Sequence, residues 1–453
     1  MKKNSTNRRS FLKQSTLAAG TTALAPALIS AQPNEKVRCG FIGVGNRGSQ
    51  LLHGFMKQPD VKVGAICDVY QPYLDRVRDH VDPFLRESLG GRVPRMGETL
   101  DRDVKKYTDF RQLLEQKDLD AVVIATPDHW HAIQMIHACE AGFDVYVEKP
   151  LSITIHEGRK MVEAAERTNR IVQVGLHRRS ANLYRKAHEL LQVGSIGRVT
   201  VSRAYRISNM AIRGIGEYTP EKPVEGLDWD LWLGPRAERG YQDNITPYKF
   251  RWWQLYSSQI ANWGVHYFDT IRWCLDELAP VSISAHGGRF AVDDDRTVPD
   301  TAEVIFELPQ SLLVFGQYEA SGGDAILHDA EIEFRGTLGN MFTGAEGGGF
   351  IIEPTRWGQF QEGGKKIEKQ NSGDMDGDLT EQHIRNFVDC VKSRKQPNCD
   401  IETGHRSTTF AHLANISLAT QSRLDWDPKN EVITNNKEAN ALLHYEYRKP
   451  WSL

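Results

Sequence analysis

The sequence predicts a two-part α/β protein: a doubly wound parallel sheet over residues 34–175, then an α+β part over 176–453 on a large, open, mixed or antiparallel sheet. Three observations predict this. An apolar run at 37–42 ends in Gly43-Val-Gly45-Asn-Arg-Gly48 and passes directly into a helical pattern at 49–56. Strand-like apolar runs then alternate with helical stretches as far as residue 175. Beyond about 176 that alternation gives way to successive strand-like runs separated by turn residues.

The first element carries a G-x-G-x-x-G pattern in the strand–turn–helix setting that a dinucleotide fingerprint requires. Gly43 allows a tight turn, Gly45 lets backbone approach a pyrophosphate, and Gly48 lets helix and strand pack closely. The helix N-terminus adds free N–H groups and a positive dipole for the phosphates. A second apolar run, 61–67, ends at Asp68, about twenty residues past the glycines, where an acid binds a ribose 2′-hydroxyl. That acid would repel a 2′-phosphate, and Val69 and Tyr70 follow it with no adjacent arginine, so the reading is a Rossmann domain for NAD rather than NADP.

Composition sets the bounds. A chain of 453 residues, 40% hydrophobic and 25% charged, is long enough for two or three cores. A net charge of −3 gives no basis for a nucleic-acid partner. No run of eighteen apolar residues follows the N-terminus, so no membrane span is expected in the mature protein. Residues 1–33 read as a targeting segment. Asn7-Arg8-Arg9-Ser10-Phe11-Leu12-Lys13 is a twin-arginine pattern, followed by a mild apolar stretch and a small-residue exit near Ser30-Ala31. Twin-arginine export carries folded proteins, so a periplasmic or secreted protein loaded with its cofactor before crossing is expected. The six cysteines form no C-x-x-C, and most read as small buried hydrophobes.

Taken in order, 72–89 reads as a charged helix and Gly90–Gly97 as an inserted loop. A short helix is expected over 107–114 and a buried strand over 120–126, with Asp128 as N-cap of the next helix. A strand at 143–147, a helix at 155–168 and a strand at 171–175 complete the first part. The second part reads as a helix at 183–193 and a strand at 199–206, then an aromatic, turn-rich stretch at 228–235. After a helix running to 275 come strands at 281–286, 301–308, 312–318 and 330–335, and helices at 381–394 and 404–422. Gly344–Gly349 and Gly363–Gly373 read as loops.

In a doubly wound sheet, ligands bind outside the carboxyl ends of the strands. Gly45, Asp68, Thr126, Lys149 and His177 all follow strand ends and should converge on one crevice. Lys149, in Glu148-Lys149-Pro150, would have its pKa lowered beside a cationic nicotinamide and could exchange protons; its bland alternative is a surface lysine. His266, expected just before a helix with Asp269 three residues on, could take or give a hydroxyl proton, or could be a core histidine bonded to a carbonyl. His129 and His131 flank Trp130 by the crevice, but two residues apart they do not share a helical face, so no metal pair is read. Trp232, Trp252, Trp253 and Trp263 either wall a sugar-stacking pocket or pack a core.

These motifs together resemble the glucose–fructose oxidoreductase / inositol dehydrogenase / MocA family. The resemblance spans residues 36–453 and rests on the fingerprint, Asp68, Ala125-Thr126-Pro127 with His129 and His131, Glu148-Lys149-Pro150 and Gly264-Val-His266-x-x-Asp269. Further matches to a secreted bacterial branch are the 228–235 stretch, His383-Ile-Arg-Asn-Phe, Gly404-His-Arg-Ser and Tyr447-Arg-Lys-Pro-Trp451. It implies Lys149 as catalytic lysine and His266 as acid/base. Crevice and resemblance together assign cofactor contacts to Gly43, Gly45, Asn46, Arg47, Gly48, Asp68, Thr126, Pro127, His129, His131, Glu148, Lys149, His177 and Arg178. Substrate contacts are assigned to Lys149, Trp253, Asn262, Trp263 and His266. The chain departs from the family at Asn262, where an acid often stands four residues before the histidine. Asn cannot relay a proton, so Lys149 and His266 would share that work.

Three functions stay open. The first is an exported NAD-dependent oxidoreductase acting on a hydroxyl of a sugar, polyol or glycoside. The second is a redox-neutral NAD-dependent glycosidase working through a transient keto-sugar and elimination. The third is a non-catalytic sugar-binding protein, against which intact Lys149 and His266 argue. The resemblance also implies a homo-oligomer.

Overall fold

The computed structural model describes residues 36–90, 96–345, 348–355 and 367–453. The first half folds into six parallel strands: β1 (Val37–Ile42), β2 (Val61–Cys67), β3 (Lys105–Tyr107), β4 (Ala121–Ile124), β5 (Asp144–Val147) and β6 (Val172–Val174), in the order β3-β2-β1-β4-β5-β6. The sheet is covered on both faces, which explains the nearly continuous apolar runs of β1, β2 and β4. Connecting helices are α1 (Asn46–Met56), α2 (Gln71–Asp75), α3 (Pro83–Leu89), α4 (Phe110–Leu114), α5 (His131–Glu140) and α6 (Ile155–Thr168). A capping box sets the start of α6: Thr154 accepts from the Glu157 N–H while the Glu157 carboxylate accepts from the Thr154 N–H.

Several local expectations are corrected. The 72–89 helix is broken. Arg76 takes a left-handed conformation at φ 59° and ends α2, a 3₁₀ turn follows at Arg78–His80, and α3 restarts behind the Asp82 cap with Pro83 at its first position. The 107–114 stretch divides between the end of β3 and α4, because the Asp109 side chain caps that helix. Asp128 is not a helix cap; its carboxylate accepts a hydrogen bond from Ser257 instead. Most of the Gly90–Gly97 loop and parts of the two glycine-rich stretches lie outside the described residues, although 370–371 pairs as a short strand rather than a loop.

The second half contains α7 (Asn182–Gln192), β7 (Val199–Ile207), α8 (Trp229–Leu233), α9 (Val265–Cys274), β8 (Ser282–Gly288), β9 (Thr301–Glu307), β10 (Leu312–Tyr318) and β11 (Ile332–Gly336). It continues with β12 (Gly339–Thr343), β13 (Phe350–Pro354), β14 (Gln370–Asn371), α10 (Leu379–Ser393), α11 (Ile401–Thr420), β15 (Leu424–Asp427), β16 (Val432–Ile433) and α12 (Lys437–Ala441). Ten strands form one sheet, ordered β14-β13-β12-β11-β7-β10-β9-β8-β15-β16, antiparallel except where β7 meets β10. Its inner face, with Ala204, Val304, Phe306, Phe315 and Phe334, packs on α7, α9 and α11. Phe268 on α9 meets Phe306 and Phe315 edge-on at 5.1 Å. Each such fully buried ring contributes roughly 1.5–3 kcal/mol. The outer face alternates polar and apolar residues and leaves Ile305 and Leu312 exposed.

The two halves pack closely against each other. Helix α10 lies on the first sheet, with Phe387 meeting Phe55 and Tyr146, while Arg385 and Lys392 bind Asp60. The 226–228 segment also runs along the first half: Gln71 N–H donates to the Gly226 carbonyl at 2.8 Å and Asp228 N–H to the Val69 carbonyl at 2.9 Å. Among the described residues no helix is long and apolar enough to cross a membrane.

Candidate active site

A cavity opens where the strand ends of the first sheet face the second half. Its floor is the glycine turn. Gly43 has φ +83°, and a Cβ there would lie 2.8 Å from the Ala125 carbonyl carbon. A Cβ on Gly48 would sit 1.8 Å from the Gly43 oxygen, so only glycine lets α1 close onto the turn. Asp68, at the end of β2, accepts the Val44 N–H at 2.8 Å and the Tyr70 N–H at 3.0 Å. Burial pushes this carboxyl up to about 6, while the two backbone donors and the Arg76 charge work the other way. Arg76 donates to the Val44 carbonyl and to Ser49 and pairs with Glu98. The glycine cradle, the α1 N-terminus and a carboxylate at the end of β2 fit a dinucleotide with an unsubstituted 2′-hydroxyl.

Thr126 and Pro127 continue this wall after β4; the Thr126 hydroxyl donates to Gln134 at 2.7 Å. After β5, Glu148 is buried and bridged to Arg47 at 2.8 Å. Burial raises its pKa, but Arg47 and Lys149 more than offset this and hold it below the usual carboxylate range.

Lys149 follows across a cis bond to Pro150. Its ammonium donates to both oxygens of Asn262, the backbone carbonyl and Oδ1, each at 2.8 Å. Burial lowers the Lys149 pKa to about 8; the Arg251 and Arg47 charges add to this, and Glu148 and Asp128 oppose it. Asn262 lies in a π-helical turn, Ile260–Gly264, at the entry to α9, a rare geometry often found at functional sites. Its amide is oriented from behind: Nδ2 donates to Gln259, whose own amide donates to Glu319, which also accepts from Trp252 and pairs with Arg296.

His266 is the second residue of α9, rather than preceding it, and lines the same cavity. Burial holds its pKa well below the ordinary value, helped by the Lys149, His177, Arg178 and Arg47 charges, which disfavours the imidazolium form. Its Nδ1 is buried without a partner, and its ring faces His177 at 5.2 Å. Asp269 does not orient it. That carboxylate pairs with Arg179 at 2.9 Å and accepts from Ser407 at 2.7 Å. Among the described residues no hydrogen bond joins Lys149 to His266.

Of the remaining assigned residues, Gly43, Gly45, Asn46, Arg47 and Trp263 line the cavity. The structure places the others behind it. Gly48 is packing. His129 faces the Trp232 carbonyl at 2.9 Å, and His131 links the Thr126 and Pro150 carbonyls at 3.0 and 2.8 Å. His177 meets the His266 ring, and Arg178 pairs with Glu331 and lies over Tyr184 and Tyr267. Trp253 is corrected from substrate contact to core: its N–H donates to the Asn244 carbonyl at 2.8 Å and Arg239 covers its ring. The aromatic wall is Trp130, Trp232 and Trp263 instead. Sequence reasoning passed over Arg251, Tyr248, Asp128 and Gln134, which line the cavity, and Gln259, which stands behind it. Arg251 and Tyr248 stood in the aromatic 248–253 stretch, whose charge and hydroxyl amid so many rings were the available signal.

Three stretches match one family: residues 37–176 as "Oxidoreductase family, NAD-binding Rossmann fold", 235–342 as "GFO/IDH/MocA C-terminal domain" and 370–453 as "Oxidoreductase family, C-terminal alpha/beta domain". The chain belongs to the Gfo/Idh/MocA oxidoreductase family. Its cofactor is NAD. Among curated relatives, "Glycosyl hydrolase family 109 protein 1" of Shewanella sp. (strain MR-4) is 36% identical over 136 residues, 30% of this chain and 27% of that protein. An α-N-acetylgalactosaminidase of Shewanella oneidensis is 35% identical over the same shares. The match thus spans about a quarter of the length of these relatives. Among solved structures, scyllo-inositol dehydrogenase from Lactobacillus casei, with bound NAD(H) and scyllo-inositol, aligns at a TM-score of 0.56 and 19% identity, covering 86% of this chain and 99% of that one. This last likeness concerns the fold.

Proposed function

We propose that this family member is an exported enzyme that oxidises a secondary hydroxyl of a sugar, polyol or glycoside. The observation that carries the reading is the Lys149 amine, held on two Asn262 oxygens with its pKa brought down to about 8, in a cavity continuous with the glycine cradle. NAD, when bound, supplies the hydride acceptor. Lys149 in its neutral form takes the hydroxyl proton as the carbonyl forms, and Asn262 holds the amine in place. His266, unpartnered at Nδ1, is the second titratable side chain at this end of the cavity. The twin-arginine pattern supports export of the loaded protein, and the exposed Ile305 and Leu312 on the outer sheet face support pairing with a second copy.

A second reading, redox-neutral glycoside cleavage, is favoured by one feature of the site. Transient oxidation followed by elimination needs one group for the hydroxyl proton and another for the acidified C–H. Lys149 and His266 line one cavity without bonding each other. The names of the Shewanella relatives point the same way. Incubating purified protein with aryl glycosides and with polyols, while following reduced nicotinamide and released aglycone, separates the readings. Accumulating reduced nicotinamide supports net oxidation. Aglycone release over many turnovers without added NAD supports the second reading. Silence in both channels, with cofactor bound, overturns catalysis.

A further inference from the structure

Resting on the carbohydrate reading above, we infer that the substrate is an anionic sugar, a hexuronate or a sulfated hexose, whose charged group is received by Arg251 beside Lys149. The inference comes from two neighbouring cations that share a neutral acceptor instead of a carboxylate. Lys149 Nζ at 2.8 Å and Arg251 Nε at 3.4 Å share one acceptor, Asn262 Oδ1, which is a neutral amide. Arg251 otherwise donates to the Tyr248 carbonyl at 2.9 Å and stacks on the Tyr248 and Phe250 rings, which hold the guanidinium plane while leaving its charge unpaired. A third cation, Arg206, lies over Trp263 with 4.0 Å from guanidinium to ring centre. Among the described residues no carboxylate comes within salt-bridge distance of Lys149, Arg251 or Arg206.

The acids nearest this end of the cavity are already engaged. Glu148 is bridged to Arg47, and Asp128 accepts from Ser257. Asp68 and Asp109 line the cavity by the glycine turn and α4, and Asp68 serves the turn. Lys149 and Arg251 line the crevice with no carboxylate in salt-bridge contact among the described residues, which favours an anionic ligand, and a planar guanidinium suits a carboxylate or sulfate oxygen pair.

The test is titration of the NAD-loaded protein with three ligands: an aryl hexuronide, the matching neutral aryl hexoside and its 6-sulfate, followed by calorimetry. At low salt at least one anionic sugar should bind roughly tenfold or more tighter than the neutral one, and added salt should narrow the gap. Which anion wins identifies carboxylate or sulfate. Arg251→Gln should weaken the anionic sugar about 10- to 100-fold while leaving the neutral sugar within about threefold and the NAD content unchanged. Asn262→Asp, nearly isosteric, should act in the same direction by supplying the missing negative charge. Equal or tighter binding of the neutral sugar overturns the inference, and so does loss of NAD from Arg251→Gln, which would assign that arginine to the cofactor. Because these readouts are binding constants, a protein that binds anionic sugars yet turns nothing over sinks the proposed reaction and leaves the inference standing.

Discussion

Lys149 holds its proton less tightly than a free lysine because the crevice desolvates it and two guanidinium groups repel it, bringing its pKa to about 8. Only the neutral amine can accept a proton. With the folded pKa depressed, the active form is lost as pH falls below about 8, so kcat/KM should rise with pH through one ionisation near that value and level off above it. Lys149→Ala should remove that limb and lower turnover by roughly 10²–10⁴, the range for one general base. It should keep NAD, because the cradle and Asp68 would supply most of the dinucleotide contacts. A pH–rate profile with cofactor content measured in parallel checks this; near-normal turnover in Lys149→Ala would exclude the lysine as base. The lysine could be picked out by its position after a strand, since strand ends in such sheets face the ligand. Its partner could not. Asn262 lies 113 positions away, and its placement depends on the π turn that presents both of its oxygens to one ammonium.

At the scale of elements, the glycine turn, α1 and β2 act as one unit. Gly48→Ala would drive a methyl into the Gly43 oxygen, so α1 must shift; a destabilisation of about 1–3 kcal/mol and loss of bound dinucleotide should follow, read by thermal melting and by NAD released on denaturation. Unchanged cofactor content would show that α1 does not close the cradle. The β2 end makes a second prediction. Protein extracted with its cofactor should carry NAD, since Asp68 stands at the end of β2, where an acid accepts from a ribose 2′-hydroxyl, and the nearby Arg76 is engaged with Glu98, Ser49 and the Val44 carbonyl. Recovery of NADP would contradict this. These elements were legible because G-x-G-x-x-G and an acid after the next strand are local spacings. The helical pattern of 72–89 misled because periodicity does not register the left-handed Arg76, whose side chain is buried on Ser49 and Glu98, or the restart at Pro83 behind the Asp82 cap.

At the scale of the whole molecule, the cavity exists because the two halves interlock. Helix α10 returns to cover the first sheet, and the 226–228 segment hydrogen-bonds along the start of α2. Arg8→Lys combined with Arg9→Lys should leave the protein in the cytoplasm; normal recovery of that variant from the periplasm would refute twin-arginine export. By itself the sequence determined what short spacing encodes: the glycine turn, Asp68, the lysine after β5, and a parallel sheet followed by a mixed one. Tertiary structure alone decided which aromatic residues face the cavity, placing Trp130 there and Trp253 in the core, and which distant groups meet Lys149. The physical reason is that a strand end has one exposed side, so its chemistry can be read locally. A buried tryptophan, asparagine or arginine has several sides, and only the packing of remote elements selects the one that meets the ligand.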